Sequence, residues 1–239
     1  MKAMIFAAGL GTRLKPLTDR IPKALVPLAG KPLLCWQLDK LVDAGIRDIV
    51  VNVHHLPEQI IEYLSEQCPK GCRVQISDER NLLLDTGGGL KKALTLLGDA
   101  REPVLACNVD ILSNIDLKAL IHQYEMTSES LLVVSDRITQ RYLCFDSEDC
   151  LCGWTNLKTG EIKQKDGRHL AFSGMQILSV EALQRLREMP DMVFSMIDFY
   201  LSQCQTLRLH AYVPSDYRIM DVGKIEHLQD AEEFALSLG

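Results

Sequence analysis

Residues 1–34, MKAMIFAAGLGTRLKPLTDRIPKALVPLAGKPLL, combine the pattern of a buried strand with a concentration of positive charge. Six basic side chains and a single acidic one give this stretch a formal charge of +5, although the whole chain carries -6. The apolar run at residues 3–8 is typical of a strand buried on both faces, and it leads directly into Gly9-Leu10-Gly11-Thr12-Arg13. We therefore expect an anionic ligand near the end of a first strand.

The glycines of this loop would allow backbone N–H groups to close around phosphate oxygens. A tight turn that needs Gly9 and Gly11 only for backbone geometry is the simpler interpretation of two glycines, but the basic cluster favours phosphate. Neither familiar phosphate motif fits. No Lys-Ser or Lys-Thr pair follows the glycines, and Leu14 stands where a dinucleotide-binding loop needs a third glycine.

Strands and helices alternate along the first half of the predicted fold. Strands are predicted at residues 3–8, 48–53, 73–77 and 104–110, and helices at about 34–42, 57–66 and 88–97. Strands without intervening helices follow at residues 131–135, 142–146, 151–155 and 169–178. Two helices at roughly 179–189 and 193–204, strands at 206–213 and 217–222, and a closing helix from Lys224 complete the prediction. The fold class is therefore α/β, with a doubly wound, Rossmann-like, mostly parallel sheet, added antiparallel strands in the second half, and a single domain over residues 1–239.

Composition excludes several kinds of partner. No apolar stretch approaches the roughly 20 residues that cross a bilayer, and the amino terminus lacks a signal-peptide pattern, so we expect a cytoplasmic protein with no membrane partner. A pI near 5.5 disfavours nucleic acid. The eight cysteines lie mostly in apolar runs without the spacing of zinc ligands, which predicts reduced thiols.

The opening stretch resembles the signature of the sugar-1-phosphate nucleotidyltransferases, approximately A-G-G/A-x-G-T-R-L-x-P-L-T, then P-K-P-L-V/L-P-V, then G-x-P. Here the segments are AAGLGTRLKPLT, PKALVP and GKP, with Ala24 in place of the usual proline. Thinner similarity continues in DTGGG at residues 85–89, in Asp110 and in MDVG at residues 220–223. In length and motifs the chain most resembles short uridylyltransferases for N-acetylmuramate 1-phosphate, followed by guanylyltransferases for mannose 1-phosphate.

The resemblance implies that a nucleoside triphosphate and a sugar 1-phosphate react to give a nucleotide-diphospho-sugar and pyrophosphate, with Mg2+ as cofactor. UTP is the favoured triphosphate and GTP the next. Because a sugar phosphate is largely ionised at pH 7, the site must stabilise charge and needs no general base. The implied catalytic residues are Arg13 on the β and γ phosphates, Lys23 on the α phosphate, and Asp110. The implied nucleotide-binding residues are Ala8, Gly9, Gly11, Thr12, Arg13, Lys23, Gly87 and Gly88.

Asp110 follows the apolar run at residues 104–109. In a doubly wound sheet ordered 3-2-1-4, strands one and four flank the reversal of strand order, so this carboxylate and the first glycine loop face the same crevice. The resemblance makes Asp110 and Asp221 the Mg2+ ligands, and two carboxylates suit a cation that takes few protein ligands. Either aspartate could instead shape a turn or cap a helix, but Asp116 is the better cap because a helical pattern starts at Leu117.

The sugar-binding residues are implied by resemblance alone. Gly174, in the segment AFSG at residues 171–174, matches a position that contacts the sugar, and Asn156 and Glu161 are assigned to a flap above it. Larger members hold the sugar phosphate with a Glu-Lys-Pro motif that this sequence lacks. Its candidate replacements are Lys163, Lys165 and Arg168.

Two other functions stay open from the sequence. One is a non-catalytic sensor or regulator that binds nucleotide sugars, which the joint presence of both aspartates, Arg13 and Lys23 disfavours. The other is cytidylyl transfer to a phosphorylated alcohol or phosphocholine. The nucleobase also stays open, because Leu83 stands where some uridylyltransferases carry a glutamine that reads uracil. No feature of the sequence indicates an oligomeric state.

Overall fold

Alternating strands and helices run through the computed structural model, which describes residues 1–164 and 167–238. The strands are β1 Lys2–Phe6, β2 Pro27–Leu28, β3 Lys31–Pro32, β4 Asp48–Val53, β5 Arg73–Asp78, β6 Val104–Asn108, β7 Ile111–Ser113, β8 Ser130–Ser135, β9 Arg141–Phe145, β10 Leu151–Asn156, β11 Glu161–Gln164, β12 Arg168–Leu178, β13 Leu209–Tyr212 and β14 Ile219–Asp221. The helices are α1 Leu33–Asp43, α2 Pro57–Gln67, α3 Asp85–Ala93, α4 Leu117–Thr127, α5 Val180–Arg187, α6 Met196–Gln203 and α7 Leu228–Leu236. Short 3-10 turns lie at Thr12–Leu14, Leu17–Asp19, Lys23–Leu25 and Ile225–His227.

The first half of the chain builds the parallel part of the sheet. The strands lie in the order β5-β4-β1-β6, and each neighbouring pair is parallel. This confirms the predicted 3-2-1-4 order. The chain adds β4 and then β5 on one side of β1 and places β6 on the other side, so the order of strands reverses at β1. The carboxyl ends of β1 and β6 therefore flank the crevice where ligands bind in such sheets.

The second half extends the sheet with antiparallel strands, as predicted. The long strand β12 pairs with β6, β8 and β9, and β10 and β11 continue the sheet beyond β9. β13 runs parallel to β8. Ten strands join in this sheet among the described residues, so the antiparallel strands stand next to the fourth parallel strand and border the crevice.

Helices cover both faces of the sheet, which explains the uninterrupted apolar run of β1. Ala3 and Ile5 point into the core beneath α1, α2, α4 and α7, whereas Met4 points into the core beneath α3, α5 and α6. All three side chains have no exposed surface. Burial on both faces thus removes the polar alternation that a half-exposed strand would show.

Several local features differ from the prediction. The helix expected at 88–97 spans Asp85–Ala93, so DTGGG forms its first turns instead of preceding it. The physical reason is close packing: a Cβ on Gly87 would lie 2.5 Å from the ring of Phe194, and one on Gly89 would lie 2.7 Å from Glu79. The strand expected to reach Asp110 ends at Asn108, and β7 begins a separate two-stranded ribbon with β14. No helix in the described ranges combines the length and apolar character needed to span a bilayer.

Candidate active site

A cavity of about 560 Å3 opens at the carboxyl end of β1. The glycine loop, Lys23, the end of β4 and the start of α3 form its walls. Its lining includes six residues predicted to bind nucleotide, namely Ala8, Gly9, Gly11, Thr12, Arg13 and Lys23. The structure thus brings the predicted phosphate loop and a buried lysine to one concave surface.

The glycine loop is held in shape by buried polar contacts. Gly11 has a φ of +63°, and a Cβ there would lie 2.7 Å from Thr18 Cγ2, so both conformation and space require glycine. The buried Thr18 hydroxyl donates to the Gly11 carbonyl at 2.8 Å. The Thr18 carbonyl in turn lies 2.8 Å from His55 Nε2. The loop conformation is therefore fixed by the protein itself before a ligand arrives.

A second set of contacts fixes the end of β1, and sequence reasoning missed it. Asn52 Oδ1 accepts hydrogen bonds from the N–H groups of Ala7 at 2.7 Å and Ala8 at 3.3 Å, and Asn52 Nδ2 donates to Glu79 Oε1 at 2.7 Å. The Leu84 N–H donates to Glu79 Oε2 at 3.2 Å. Burial raises the pKa of the Glu79 carboxyl, while the hydrogen bonds from Asn52 and Leu84 oppose that shift. The available signal was a polar Asn inside the apolar run IVVNV, because a buried amide needs partners.

Arg13 and Asp221 come together at Gly223, although they are far apart in sequence. An ideal Cβ on Gly223 would lie 2.7 Å from Arg13 Nη2 and 2.6 Å from Asp221 Oδ1. Gly223 is buried and lines the same cavity. The Arg13 guanidinium and the Asp221 carboxylate therefore both border the space at the cavity edge that a side chain on residue 223 would fill.

Lys23 and Asp110 form an ion pair at the other side of the cavity. Lys23 is only 8% exposed, which rules out the alternative of a freely solvated surface charge. The Val222 N–H donates to the Asp110 carbonyl at 2.9 Å, and Asp221 is the register partner of Ile111 between β14 and β7. Asp110 directly precedes β7 and Asp221 ends β14, so both lie at the same end of one ribbon. Lys23 pairs with Asp110, and Arg13 lies near Asp221 at Gly223.

The two carboxylates beside the ribbon suit Mg2+ better than a metal ion that is coordinated by protein side chains alone. No group of three or more Asp, Glu, His or Cys side chains in residues 1–164 and 167–238 is arranged to hold a metal. Asp110 and Asp221 supply two carboxylates beside the phosphate cavity. Mg2+ is commonly bound by one or two carboxylates together with substrate phosphates and water. These two aspartates would therefore hold Mg2+ when a nucleotide contributes the remaining oxygens.

Gly87 and Gly88 lie on α3, outside the described residues that line the cavity. Their N–H groups both donate to the Phe194 carbonyl, at 2.9 and 3.1 Å. A contact of these glycines with a nucleobase stays a prediction, and it could not use these N–H groups. Asp85, Thr86 and Leu83 line the cavity at this end instead.

The predicted sugar-binding residues fall into two places. Gly174 has a φ of +68°, and a Cβ there would lie 2.7 Å from Asn108 Nδ2, so it lies against the segment that carries Asp110. Asn156 is buried, and its side chain accepts from the Lys158 N–H at 3.1 Å in the turn between β10 and β11. Glu161 on β11 is the register partner of Asn156 on β10. Of the candidate phosphate-binding cations, Lys163 and Arg168 form surface ion pairs with Glu161 and Asp149, and Lys165 lies outside the described residues.

The doubly wound sheet and the glycine loop at its carboxyl edge define a Rossmann-like α/β protein with a cavity lined by Arg13 and Lys23 at that edge. The comparison with protein families then gives the family. The model described as nucleotidyl transferase matches residues 2–142, and the chain belongs to that family.

Relatives of known name agree with this placement. The chain is 50% identical over 110 residues to an N-acetylmuramate alpha-1-phosphate uridylyltransferase from Caulobacter vibrioides, covering 45% of each protein. It is 34% identical over 141 residues to a mannose-1-phosphate guanyltransferase from Hypocrea jecorina, covering 59% of this chain and 38% of that protein. The chain thus spans less than half the length of these two relatives. Among solved structures, HddC from Yersinia pseudotuberculosis complexed with GMP-PN superposes with a TM-score of 0.77 at 25% identity, covering 98% of this chain and 99% of that one.

Proposed function

We propose that this protein is a Mg2+-dependent sugar-1-phosphate nucleotidyltransferase that forms a nucleotide-diphospho-sugar and pyrophosphate. The observation that supports this most directly is that Arg13 and Lys23 line one cavity beside the glycine loop. Each has a carboxylate next to it, Asp110 against Lys23 and Asp221 beside Arg13 at Gly223. Two cations next to two carboxylates suit a reaction in which two polyanions and a divalent cation must meet. A simple anion-binding turn would not need the carboxylates.

In the proposed reaction an oxygen of the sugar phosphate attacks the α phosphorus, and the bond between that phosphorus and the pyrophosphate oxygen breaks. Lys23 neutralises charge on the α phosphate, and Arg13 binds the departing pyrophosphate. Asp110 and Asp221 hold Mg2+, which supplies further neutralisation of the phosphate oxygens. Lys23 forms an ion pair with Asp110 in this structure, and we expect nucleotide binding to draw its ammonium from Asp110 towards the α phosphate.

The favoured substrates are UTP and a sugar 1-phosphate, with GTP as the next nucleotide. Support comes from the higher identity to the named uridylyltransferase than to the named guanyltransferase. The cavity end near Leu83, Asp85 and Thr86 is the proposed location of the base. Gly174 is the proposed sugar contact, because it adjoins the segment that carries Asp110.

Pyrophosphate release tests the proposal. The four common nucleoside triphosphates are combined with a panel of phosphorylated acceptors that includes sugar 1-phosphates and phosphocholine, with and without Mg2+. We expect pyrophosphate only when triphosphate, Mg2+ and a sugar 1-phosphate are all present. Turnover with phosphocholine and CTP instead, or tight binding of nucleotide sugars without turnover, would contradict the proposal.

The variant Asp110→Asn tests the metal assignment. We expect it to reduce turnover at least about 100-fold, because a neutral amide is a poor Mg2+ ligand and leaves Lys23 unpaired. Asp116→Asn is the matched control: Asp116 caps α4 through the N–H groups of Lys118 and Ala119, and asparagine caps helices equally well. Asp110→Asn with turnover within a few-fold of the control would refute the assignment.

A further inference from the structure

The ribbon of β7 and β14 has only two strands, so no strand covers the outer edge of β7 among the described residues. The Val222 N–H donates to the Asp110 carbonyl at 2.9 Å and the Asn114 N–H donates to the Arg218 carbonyl at 3.2 Å, so these backbone groups face the partner strand. The carbonyls of Ile111 and Ser113, which alternate with them, point away from β14. A two-stranded ribbon is marginally stable alone, and buried carbonyls without partners destabilise it further.

Two side chains of α1 donate hydrogen bonds to these carbonyls, as a neighbouring strand otherwise would. Gln37 Nε2 donates to the Ile111 carbonyl at 2.6 Å, and Gln37 is 2% exposed. Lys40 Nζ donates to the Ser113 carbonyl and lies 3.1 Å from Ser113 Oγ. Residues three apart lie on one face of a helix, so α1 presents both donors to the ribbon edge together.

Placing the Lys40 ammonium at this edge carries a desolvation cost, which indicates that the residue has a role there. Desolvation by burial lowers its pKa from 10.5 to about 8. It lies away from the cavity that holds Arg13 and Lys23, and the proposed chemistry does not use it. The strand that it holds begins directly after Asp110, and the opposite strand ends at Asp221.

We propose that Lys40 and Gln37 are positioning residues that hold β7 in register with β14 and so keep the Asp110 and Asp221 carboxylates at the separation that a divalent cation requires. The inference rests on the proposed function for the role of the two aspartates. It adds that α1, which contributes no lining residue to the nucleotide cavity among those described, determines metal affinity through the ribbon edge.

The experiment measures Mn2+ binding to the whole protein in the presence of a non-hydrolysable UTP analogue, by the loss of the free Mn2+ signal in electron paramagnetic resonance, with the analogue alone as the blank. The site-specific part is defined as the binding that Asp110→Asn removes. Lys40→Met keeps the length of the side chain and removes its donors, and we expect it to weaken site-specific Mn2+ binding about tenfold, the lower end of the range for groups that support metal ligands. The KM for nucleoside triphosphate should stay within about twofold while kcat falls, because the glycine loop is untouched.

Three comparisons separate positioning from general destabilisation. Lys118→Met removes an exposed lysine from α4 and should leave Mn2+ binding unchanged. Lys40→Arg keeps a donor and should recover part of the Mn2+ affinity. Gln37→Leu removes the other donor and should weaken Mn2+ binding in the same direction, which keeps the test intact if Lys40→Met does not fold. Folded Lys40→Met or Gln37→Leu protein with parental Mn2+ affinity would overturn the inference. If Asp110→Asn removes no Mn2+ binding from the parent, the metal assignment of the proposed function fails instead.

Discussion

The variant Gly223→Ala should lower enzymatic activity while leaving the stability of the fold nearly unchanged. The added Cβ would lie 2.7 Å from Arg13 Nη2 and 2.6 Å from Asp221 Oδ1, whereas ordinary contact begins near 3.4 Å. Both side chains must therefore withdraw by about 0.7 Å, and misplacement of about 1 Å in a catalytic group can reduce rates about 100-fold. We expect kcat/KM to fall roughly 30- to 100-fold, equivalent to about 2–3 kcal/mol of transition-state stabilisation.

The stability of this variant should change little. The two atoms that the methyl group meets are the ends of flexible side chains, and no positive φ opposes alanine at residue 223. Replacing glycine by alanine at such a position also restricts the unfolded chain, which contributes about 0.4–1 kcal/mol in favour of folding. The melting temperature is therefore expected to match or slightly exceed that of the parent.

Gly88→Ala is the contrasting control. Its Cβ would overlap the backbone carbonyl oxygen of Met192, which has no free rotation by which to withdraw. We expect this change to lower the free energy of unfolding by about 1–3 kcal/mol. Pyrophosphate-release kinetics and thermal denaturation on both variants supply the assay. A folded Gly223→Ala protein with kcat/KM within threefold of the parent would refute the reasoning that Arg13 and Asp221 act at this point.

Two further predictions concern buried polar groups. Asn52→Leu leaves the N–H groups of Ala7 and Ala8 and one oxygen of Glu79 without their partner. Each unsatisfied group costs about 1–3 kcal/mol, so we expect urea denaturation to show that the free energy of unfolding falls by about 3 kcal/mol or more. A loss below about 1 kcal/mol would contradict this. Lys40 has a folded pKa of about 8 and an unfolded pKa near 10.5, so the penalty for burying its charge is full below pH 8 and is relieved as pH rises through 8 towards 10.5. Between pH 7.5 and 9.5 the free energy of unfolding of the parent should therefore rise by about 2 kcal/mol relative to Lys40→Met, and an unchanged or falling difference would count against the desolvation of this half-buried lysine.

The parallel part of the fold was predictable because β1, β4 and β6 are largely buried and read as apolar runs, whereas β5 at the sheet edge is mostly half-buried or exposed. Asp48–Val53 was predicted at its observed bounds, and the alternation of strands and helices predicted a mostly parallel sheet, for which the doubly wound order 3-2-1-4 was assumed and is observed. The strand predicted at 217–222 corresponds to β14, but β7 and its pairing with β14 were not predicted, since a strand of three residues has too few positions for a hydrophobic period to show. The start of α3 was misplaced because glycine runs normally indicate loops, and only the contacts of Gly87 and Gly89 explain why glycine is required within this helix.

The spatial proximity of the proposed site residues was predictable in part. Topology alone placed Asp110 beside the glycine loop, and the structure puts its carboxylate against Lys23. Asp221 was identified only through family resemblance, because its approach to Arg13 depends on the long return of the chain to β14. Gln37, Lys40 and Asn52 gave weak signals in the sequence, since single polar residues in apolar segments can equally face solvent. Their roles follow from hydrogen-bond partners that lie far away in the chain.

The most direct test of the central claim is a crystal structure of the protein with a non-hydrolysable UTP analogue and Mn2+, located by its anomalous scattering. We expect the manganese peak between the carboxylates of Asp110 and Asp221, the triphosphate along the glycine loop with Arg13 on its terminal phosphates, and Lys23 moved from Asp110 to the α phosphate. Manganese away from both aspartates, or a triphosphate bound elsewhere, would contradict the account.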